Sequence, residues 1–268
     1  GAYRGGLYAS VDGGATWEQR DHGIGVKSLF CLAKADIGGK PRIFAGTEPA
    51  HLYYSDDAGA HWDEFPKLRS VGSLPRWRFA ADPFEAHTKH INFLPGDPET
   101  MFISIEVGGL LKTTDGGQHF RVIPGMDSDV HRTAINPMNP DRIYITGGDG
   151  TYVTSDGGDS WEHWTTTEHE IGGYPDFLLI HPKNPNVVFV AAAEKGPGSW
   201  REHRYAGSRI SKSTDGGLNW TALRNGLPDR LTTAFEAMIL EDWGESFSIF
   251  GATATGEIWA TEDGGEHW

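Results

Sequence analysis

The sequence contains little that could cross-link the chain or hold it in a membrane. Cys31 is the single cysteine among 268 residues, so an intrachain disulfide is excluded and packing must hold the fold together. No run of about 18 apolar residues occurs, which predicts that the chain does not insert into a membrane. No signal peptide is visible either. The compartment of a soluble protein, cytoplasmic or exported, therefore stays open.

Basic residues are also scarce. The chain has 23 Lys and Arg against 37 Asp and Glu, which gives a formal net charge of −14. A polyanion such as a nucleic acid would be repelled, so we expect no nucleic-acid partner, although a local basic patch could still bind an anion.

Compact catalytic and metal motifs are missing as well. The sequence has no HExxH pattern and no nucleophile elbow, so neither a zinc-protease site nor a Ser-His-Asp triad is predicted. We expect no organic cofactor, and only a divalent cation held by dispersed residues remains open.

Turn formers and large aromatic residues are abundant. The chain has 36 Gly, 15 Pro and 10 Trp, which is typical of many short strands joined by tight turns. One pattern occurs six times: Ser or Thr, Asp two residues later, Gly two further on, and an aromatic residue after three more. Because the spacing from one Asp to the next is 41 to 59 residues, each interval fits one four-stranded propeller blade, twice with an insertion. The six copies, called the repeat turns below, are Ser10–Trp17, Ser55–Trp62, Thr113–Phe120, Thr154–Trp161, Ser213–Trp220 and Thr261–Trp268.

The chemistry of the repeat turn predicts a structural role. Gly tolerates a positive φ, and an Asp side chain can accept backbone N–H groups within its own turn. The aromatic ring can then be buried between sheets, which contributes about 2–3 kcal/mol. A calcium loop would need further carboxylates that these turns lack.

The repeat turns resemble the Asp-box, or BNR, repeat family, which includes sialidases, the sortilin ectodomain and photosystem assembly factors. The resemblance covers nearly the whole chain and implies an all-β fold, a β-propeller of four-stranded antiparallel blades. We predict one propeller domain over residues 1–268 with six blades. The chain starts at a third strand and stops inside the last repeat turn, so we expect sequence to be missing at one or both ends. The family shares its fold across several functions.

A functional site is predicted on the face opposite the repeat turns, at the mouth of the propeller pore. There the ends of second strands and the entries to inner strands carry carboxylates and histidines, which suit acid/base hydrolysis or cation binding. A simpler explanation for the polarity of each single residue is that the ends of loops are exposed to water. The candidate catalytic residues are Glu48, Glu106, His131, Asp149 and Asp176, and Glu106, His131 and Asp149 are the candidate metal ligands.

Further candidates lie near these positions and in two insertions, residues 63–89 and 195–209. Aromatic and Arg side chains there suit stacking on a sugar ring and pairing with a carboxylate or sulfate. The alternative is that the insertions pack back on the rim. Tyr3, Asp127 and Asp129 neighbour the site, and the candidate substrate-binding residues are Arg4, Trp77, His90, Arg132, Tyr174, Glu194, Trp200 and Arg201.

Three functions follow from these observations. The favoured one is a carbohydrate-active, glycoside-hydrolase-like enzyme with an acidic site at the pore mouth and a glycan or small-molecule ligand. The sequence departs from sialidases, because their Arg-Ile-Pro motif is absent and no three-arginine cluster can be assigned. The second is a non-catalytic propeller that binds a peptide or protein, as the sortilin and assembly-factor resemblance implies. The third is a metal-dependent lactonase or lyase.

Overall fold

The fold was determined from a computed structural model that describes residues 1, 4–80, 82–126 and 129–268. Tyr3 and Asp127 lie outside the described residues. The chain forms two compact units, residues 1–133 and 134–268. Among the described residues, no helix is both long and apolar enough to cross a membrane.

Unit 1 contains a short hairpin and two four-stranded sheets. The hairpin pairs β1 (Tyr8–Ala9) with β2 (Glu18–Gln19). The first sheet has the order β3 (Ser28–Ile37), β4 (Lys40–Glu48), β5 (Leu52–Ser55) and β6 (Asp63–Glu64). Two 3₁₀ helices follow, Pro66–Ser70 and Leu74–Arg76. The second sheet consists of β7 (His87–Leu94), β8 (Asp97–Glu106), β9 (Gly109–Thr113) and β10 (Arg121–Val122).

The remaining sheets repeat the same up-and-down order. The third consists of β11 (Val130–Ile135), which spans the boundary between the units, β12 (Ile143–Gly147), β13 (Gly150–Thr154) and β14 (Glu162–Thr165). The fourth consists of β15 (Tyr174–Ile180), β16 (Val188–Ala193), β17 (Arg209–Ser213) and β18 (Thr221–Ala222), with helix α1 (Pro197–His203) between β16 and β17. The fifth has three strands, β19 (Phe235–Asp242), β20 (Phe247–Thr253) and β21 (Ile258–Thr261).

The all-β propeller architecture with four-stranded antiparallel blades is confirmed, but the predicted number of six blades is wrong. The structure has five blades. The first repeat turn connects β1 and β2, and in the described part of the chain this hairpin pairs with no inner strands. A repeat turn marks the outer hairpin of a blade, so counting the turns counts outer hairpins and exceeds the number of blades by one.

Burial explains why the second strand of each blade is the most apolar. Every residue of β16 is buried, and β8 is buried without interruption from Thr100 to Glu106. A strand covered on both faces needs a continuous run of small and apolar residues rather than alternation. Large apolar residues fill the space between the sheets within each unit, with Phe44 and Met101 in unit 1 and Phe189 and Phe235 in unit 2.

The repeat turns satisfy their own backbone polar groups. In the fifth turn the Ser213 hydroxyl donates to Asp215 Oδ1 at 2.8 Å and accepts the Gly217 N–H at 2.7 Å. Asp215 Oδ1 also accepts the backbone N–H of Asn219 at 2.9 Å. The hydrogen bonds from Asn219 and Ser213 lower the pKa of Asp215 to about 2. Hydroxyl-to-carboxylate and amide-to-hydroxyl bonds of this kind recur in all six turns, so each Asp side chain is bonded within its own turn.

The second repeat turn departs from the others at one position, and this generates a stability prediction. Ala58 has φ +58°, while the equivalent residue in each other turn is a glycine with a similar φ, such as Gly116 at +67°. Because a Cβ in the left-handed region costs about 1–2 kcal/mol, Ala58→Gly should stabilise the protein by about 0.5–1 kcal/mol after the backbone entropy of glycine is subtracted. Denaturant unfolding would measure the gain. The reverse change, Gly116→Ala, should destabilise it, and a loss of stability in Ala58→Gly would contradict this account.

The aromatic residues of the repeat turns are buried to very different degrees. Trp62 is 2% exposed, and its Nε1 donates to the carbonyl of Arg20 at 2.8 Å, whereas Trp17 in the first turn is 64% exposed. We therefore expect Trp62→Ala to lower the free energy of unfolding by about 3–5 kcal/mol. Trp17→Ala is the matched control and should change it by less than about 1 kcal/mol. Equal losses in the two variants, measured by denaturant unfolding, would show that the turn position rather than burial sets the contribution.

Candidate functional site

A network of buried charged groups surrounds Glu106 at the end of β8. The Glu106 carboxylate lies 2.6 Å from His87 Nε2 and 2.8 Å from Lys89 Nζ, and both partners belong to the neighbouring strand β7. His87 stands opposite Glu106 in the strand register. The other ring nitrogen, Nδ1, lies 3.7 Å from Glu48 Oε2, so one imidazole separates two carboxylates.

Aromatic packing fixes the position of this imidazole. His87 is 3% exposed, and its ring stacks on Phe30 with centroids 3.7 Å apart and an interplanar angle of 26°. Phe79, from the first insertion, packs against the same ring at 5.2 Å. The packing holds both imidazole nitrogens between the carboxylates of Glu48 and Glu106.

The electrostatics of the network keep Glu106 ionised. Burial by itself would raise the pKa of this carboxyl. The hydrogen bond from His87 and the charges of Lys89, His87 and His131 outweigh burial and hold the pKa of Glu106 well below its usual range. A general acid at neutral pH needs a shift in the opposite direction.

His131 brings a third acidic residue to the same region. Its Nε2 lies 3.4 Å from Asp129 Oδ2, and its side chain is almost fully buried. One ligand atom from each of Glu106, Asp129 and His131 lies within 4.8 Å of the others. The group thus contains two of the three predicted metal ligands, Glu106 and His131, together with Asp129.

The donor types fit a divalent transition metal, since imidazole and carboxylate are ligands of zinc. The ammonium of Lys89 already neutralises Glu106, however, and it would repel a cation from the same oxygens. Metal binding by these residues therefore stays a prediction. His90 and Arg132 lie beside the network, and burial together with the charge of Arg132 lowers the pKa of His90 to about 3, so this imidazole is neutral.

A cavity lies next to the network and is called the loop pocket here. It has a volume of about 180 Å³ and is bounded by the β4–β5 loop and the first insertion. Trp77 provides one wall and is held by a hydrogen bond from Nε1 to Ser73 Oγ at 3.1 Å. Glu64 fixes two polar side chains of the lining, because it accepts hydrogen bonds from His51 at 2.9 Å and from Arg69 at 2.7 Å. The lining residues are Pro49, Ala50, His51, Arg69, Leu74, Trp77, Phe84, Glu85 and Ala86.

Several of the candidates in unit 2 have local partners. Asp149 accepts the hydroxyl of Tyr152 at 2.6 Å. Glu194 pairs with Arg230 at 2.9 Å. Asp176 lies at a bulge in β15. Tyr174 packs edge-on against Trp200 at 5.7 Å, as expected if the second insertion folds back on the rim. Arg201 is exposed on α1, and Arg4 is exposed in unit 1.

Sequence reasoning missed His87, the central residue of the network. It assigned His87 to the first insertion, residues 63–89, whereas β7 begins at His87. Strand β7 therefore includes the last three residues of that insertion, and this places His87 opposite Glu106. The stacking on Phe30 is a contact between blades, which one strand's sequence does not encode.

Comparisons with known proteins place the chain among propellers of several functions. Residues 108–235 match the family model described as Sortilin, neurotensin receptor 3 (Sortilin-Vps10). The vacuolar protein sorting/targeting protein 10 of Aspergillus terreus is 27% identical over 128 residues, covering 46% of this chain and 8% of that protein. The photosystem II assembly lipoprotein Ycf48 of a Synechococcus strain is 26% identical over 265 residues, covering 83% of this chain and 72% of that protein.

Among solved structures, an ancestral GH74 enzyme superposes with a TM-score of 0.72 at 16% identity. The match covers 98% of this chain and 36% of the enzyme, so the chain spans about a third of that structure. At this level of identity the likeness shows the fold alone. The sequence and structure comparisons therefore support a β-propeller and leave its function open between binding and hydrolysis.

The network around Glu106 predicts a pH-dependent contribution to stability. Glu106→Gln should lower the free energy of unfolding at pH 7 by about 2–3 kcal/mol, because it removes the buried carboxylate that His87 and Lys89 bind. The folded-state pKa of Glu106 is depressed, so the contribution is present above the unfolded pKa of about 4.3 and is lost as the pH falls below it.

Urea unfolding of wild type and Glu106→Gln between pH 7 and pH 2 would measure this effect. The difference between them should stay constant down to about pH 4 and shrink at lower pH. The exposed Glu99→Gln is the matched control and should show no such difference. A gap that is independent of pH would mean that the ion pairs do not stabilise the fold.

Proposed function

We propose that this protein is a non-catalytic binding propeller that accepts a peptide segment of a protein partner in the loop pocket. The observation that carries the proposal is the contrast between two neighbouring features of unit 1. Glu106, a candidate for acid/base chemistry, is bound by internal partners, while the adjacent cavity is open and lined by aromatic residues.

The internal partners argue against acid/base catalysis by these carboxylates. Glu106 is bound by His87 and Lys89, and one oxygen of Asp149 by the Tyr152 hydroxyl. A glycosidase needs one carboxyl group with a raised pKa to protonate the leaving group. The pKa of Glu106 is shifted the other way.

The loop pocket has the chemistry of a small recognition site. Its volume of about 180 Å³ matches one side chain, since a cavity of about 150 Å³ holds a benzene ring. Phe84 is 47% exposed in the pocket wall, and covering such a ring with a partner is favourable. Aromatic residues in a partly desolvated pocket, with Arg69 and Glu85 on the polar side, are typical of the energetic centre of a protein interface.

The relatives support a binding function. One is named for protein sorting and targeting and the other for assembly of photosystem II, and neither printed name describes a hydrolase. The match to the second relative covers 72% of that protein.

A specific distance favours hydrolysis as a second candidate. Oxygen atoms of Glu106 and Asp129 lie within 4.8 Å of each other, near the separation of about 5–5.5 Å used by retaining glycosidases. In this alternative Asp129 would be the acid/base residue and Glu106 the nucleophile. Lys89 and His87 would have to release Glu106 for it to attack.

A displayed library of unstructured peptides, selected on the intact chain, tests the binding function. We expect selected peptides to bind wild type, and Trp77→Ala and Phe84→Ala to weaken binding by about 30-fold, equivalent to about 2 kcal/mol. Trp243→Ala, which removes an indole that is 64% exposed in unit 2, is the matched control and should bind normally.

Two outcomes would contradict the proposal. One is that no peptide is enriched, or that selected peptides bind both pocket variants as well as wild type. The other is turnover of aryl glycosides by wild type that is abolished by Asp129→Asn and Glu106→Gln but retained in Asp149→Asn. That result would establish the hydrolase instead.

A further inference from the structure

Arg209, the first residue of β17, is a buried cation for which the described residues provide no counter-ion. The residue is 6% exposed, and its Nε and Nη1 atoms are fully buried without a hydrogen-bond partner among the described residues. Buried guanidinium groups are normally paired, because removing the charge from water is unfavourable unless an anion replaces the lost hydration. The unpaired state of Arg209 therefore indicates a ligand that supplies negative charge.

The face of the β17–β18 ladder places Arg209 in a cavity. Ser211 pairs with Ala222 in the register, and alternate residues of a strand point to the same face. Arg209 and Ser211 on one strand therefore share a face with Trp220, Ala222 and Arg224 on the other. These five residues, together with Glu170 and Arg230, line a cavity of about 210 Å³ within unit 2.

The lining of the cavity contains more cationic than anionic side chains, on a protein that is otherwise strongly acidic. Three guanidinium groups and one carboxylate line it, while the whole chain has a formal charge of −14. Arg224 is paired with Asp229 at 2.6 Å and Arg230 with Glu194 at 2.9 Å, so these two arginines have their own anions. Among the described residues, no anion pairs with the third guanidinium of the cavity, that of Arg209.

The loop that carries Arg230 is fixed to the strand that carries Arg209. Ser208 and Leu231 exchange two backbone hydrogen bonds, at 3.0 Å and 2.8 Å, immediately beside both arginines. The position of Arg230 over the cavity is thus set by main-chain pairing. A site held by backbone bonds on two sides needs little rearrangement to accept a ligand.

We infer that this cavity, called the Arg209 pocket, is a binding site for a small oxyanion group: a carboxylate, sulfate or phosphate. Arg209 binds the anion through charge-assisted hydrogen bonds, which are the strongest that a guanidinium makes. The Ser211 hydroxyl is available as a further donor on the same face. The volume of about 210 Å³ accommodates the anionic group together with a short stem. The site lies wholly in unit 2 and does not depend on the function proposed for the loop pocket.

Glu170 is the internal competitor for this site. It lines the cavity and is exposed, and no ion pair joins it to Arg209 in the structure. A rotation of Glu170 onto Arg209 would neutralise the cavity without a ligand. Glu170→Gln therefore separates the two situations, because removal of an internal counter-ion weakens the fold, whereas removal of a repelling carboxylate strengthens anion binding.

The test measures binding of sodium acetate, sodium sulfate and inorganic phosphate by calorimetry and by melting temperature, at an ionic strength fixed with sodium chloride. Wild type should bind at least one anion saturably and melt higher in its presence. Arg209→Gln should bind it at least tenfold more weakly, and in chloride alone it should melt at or above the wild-type temperature, because an unpaired buried charge has been removed. Arg204→Gln changes an exposed arginine in the same insertion and should behave as wild type.

The pattern of anions and variants decides the outcome. Preference for acetate assigns a carboxylate ligand, and preference for sulfate or phosphate assigns a tetrahedral one. Because sulfate stabilises proteins generally, only the difference between wild type and Arg209→Gln counts. Should Arg209→Gln fail to fold, Arg209→Lys keeps the charge without the fork and should still lose affinity. Equal anion binding by wild type and the Arg209 variants, or binding by none of them, would overturn the inference. A lower melting temperature of Glu170→Gln than of wild type in chloride alone would also overturn it, because Glu170 would then be the counter-ion of Arg209.

Discussion

The hydrogen bonds of the repeat turns determine where the outer half of each blade lies. A hydroxyl and a carboxylate separated by one residue accept the N–H groups of a turn that strand pairing cannot satisfy. Because the Asp carboxylates are ionised and bonded on both oxygens in several turns, they are used within the turn. Each repeat turn thereby fixes the end of a third strand, while the connection before that strand can vary. The loop pocket uses one such connection, the β4–β5 loop, together with the first insertion.

Charge pairing distinguishes the two regions that bear on function. In unit 1 the carboxylates of Glu48 and Glu106 are matched by His87 and Lys89, which makes the network a support for the loops beside it. In unit 2 the two peripheral arginines of the cavity are matched and the buried one is not. A satisfied network stabilises a fold, while an unsatisfied buried charge is retained only where something else is gained.

Much of the fold could be predicted because the information is local. Turn chemistry located the outer hairpins: the repeat turn Thr113–Phe120, for example, connects β9 with β10. The predicted number of blades was wrong because the turn around Asp12 has the same residue pattern as the others but closes a two-stranded hairpin. The pairing of Glu106 with His87 and the isolation of Arg209 depend on burial and on contacts between distant segments. The sequence named Glu106 and His131 as neighbours, yet it did not show which charges would remain without partners.

The short outer strands have a consequence for the behaviour of the protein in concentrated solution. The fourth strands β6, β10 and β18 are only two residues long. An outer strand of that length offers few unpaired N–H and C=O groups to another chain, which blocks edge-to-edge association between sheets. These three edges are therefore poor starting points for intermolecular sheet growth.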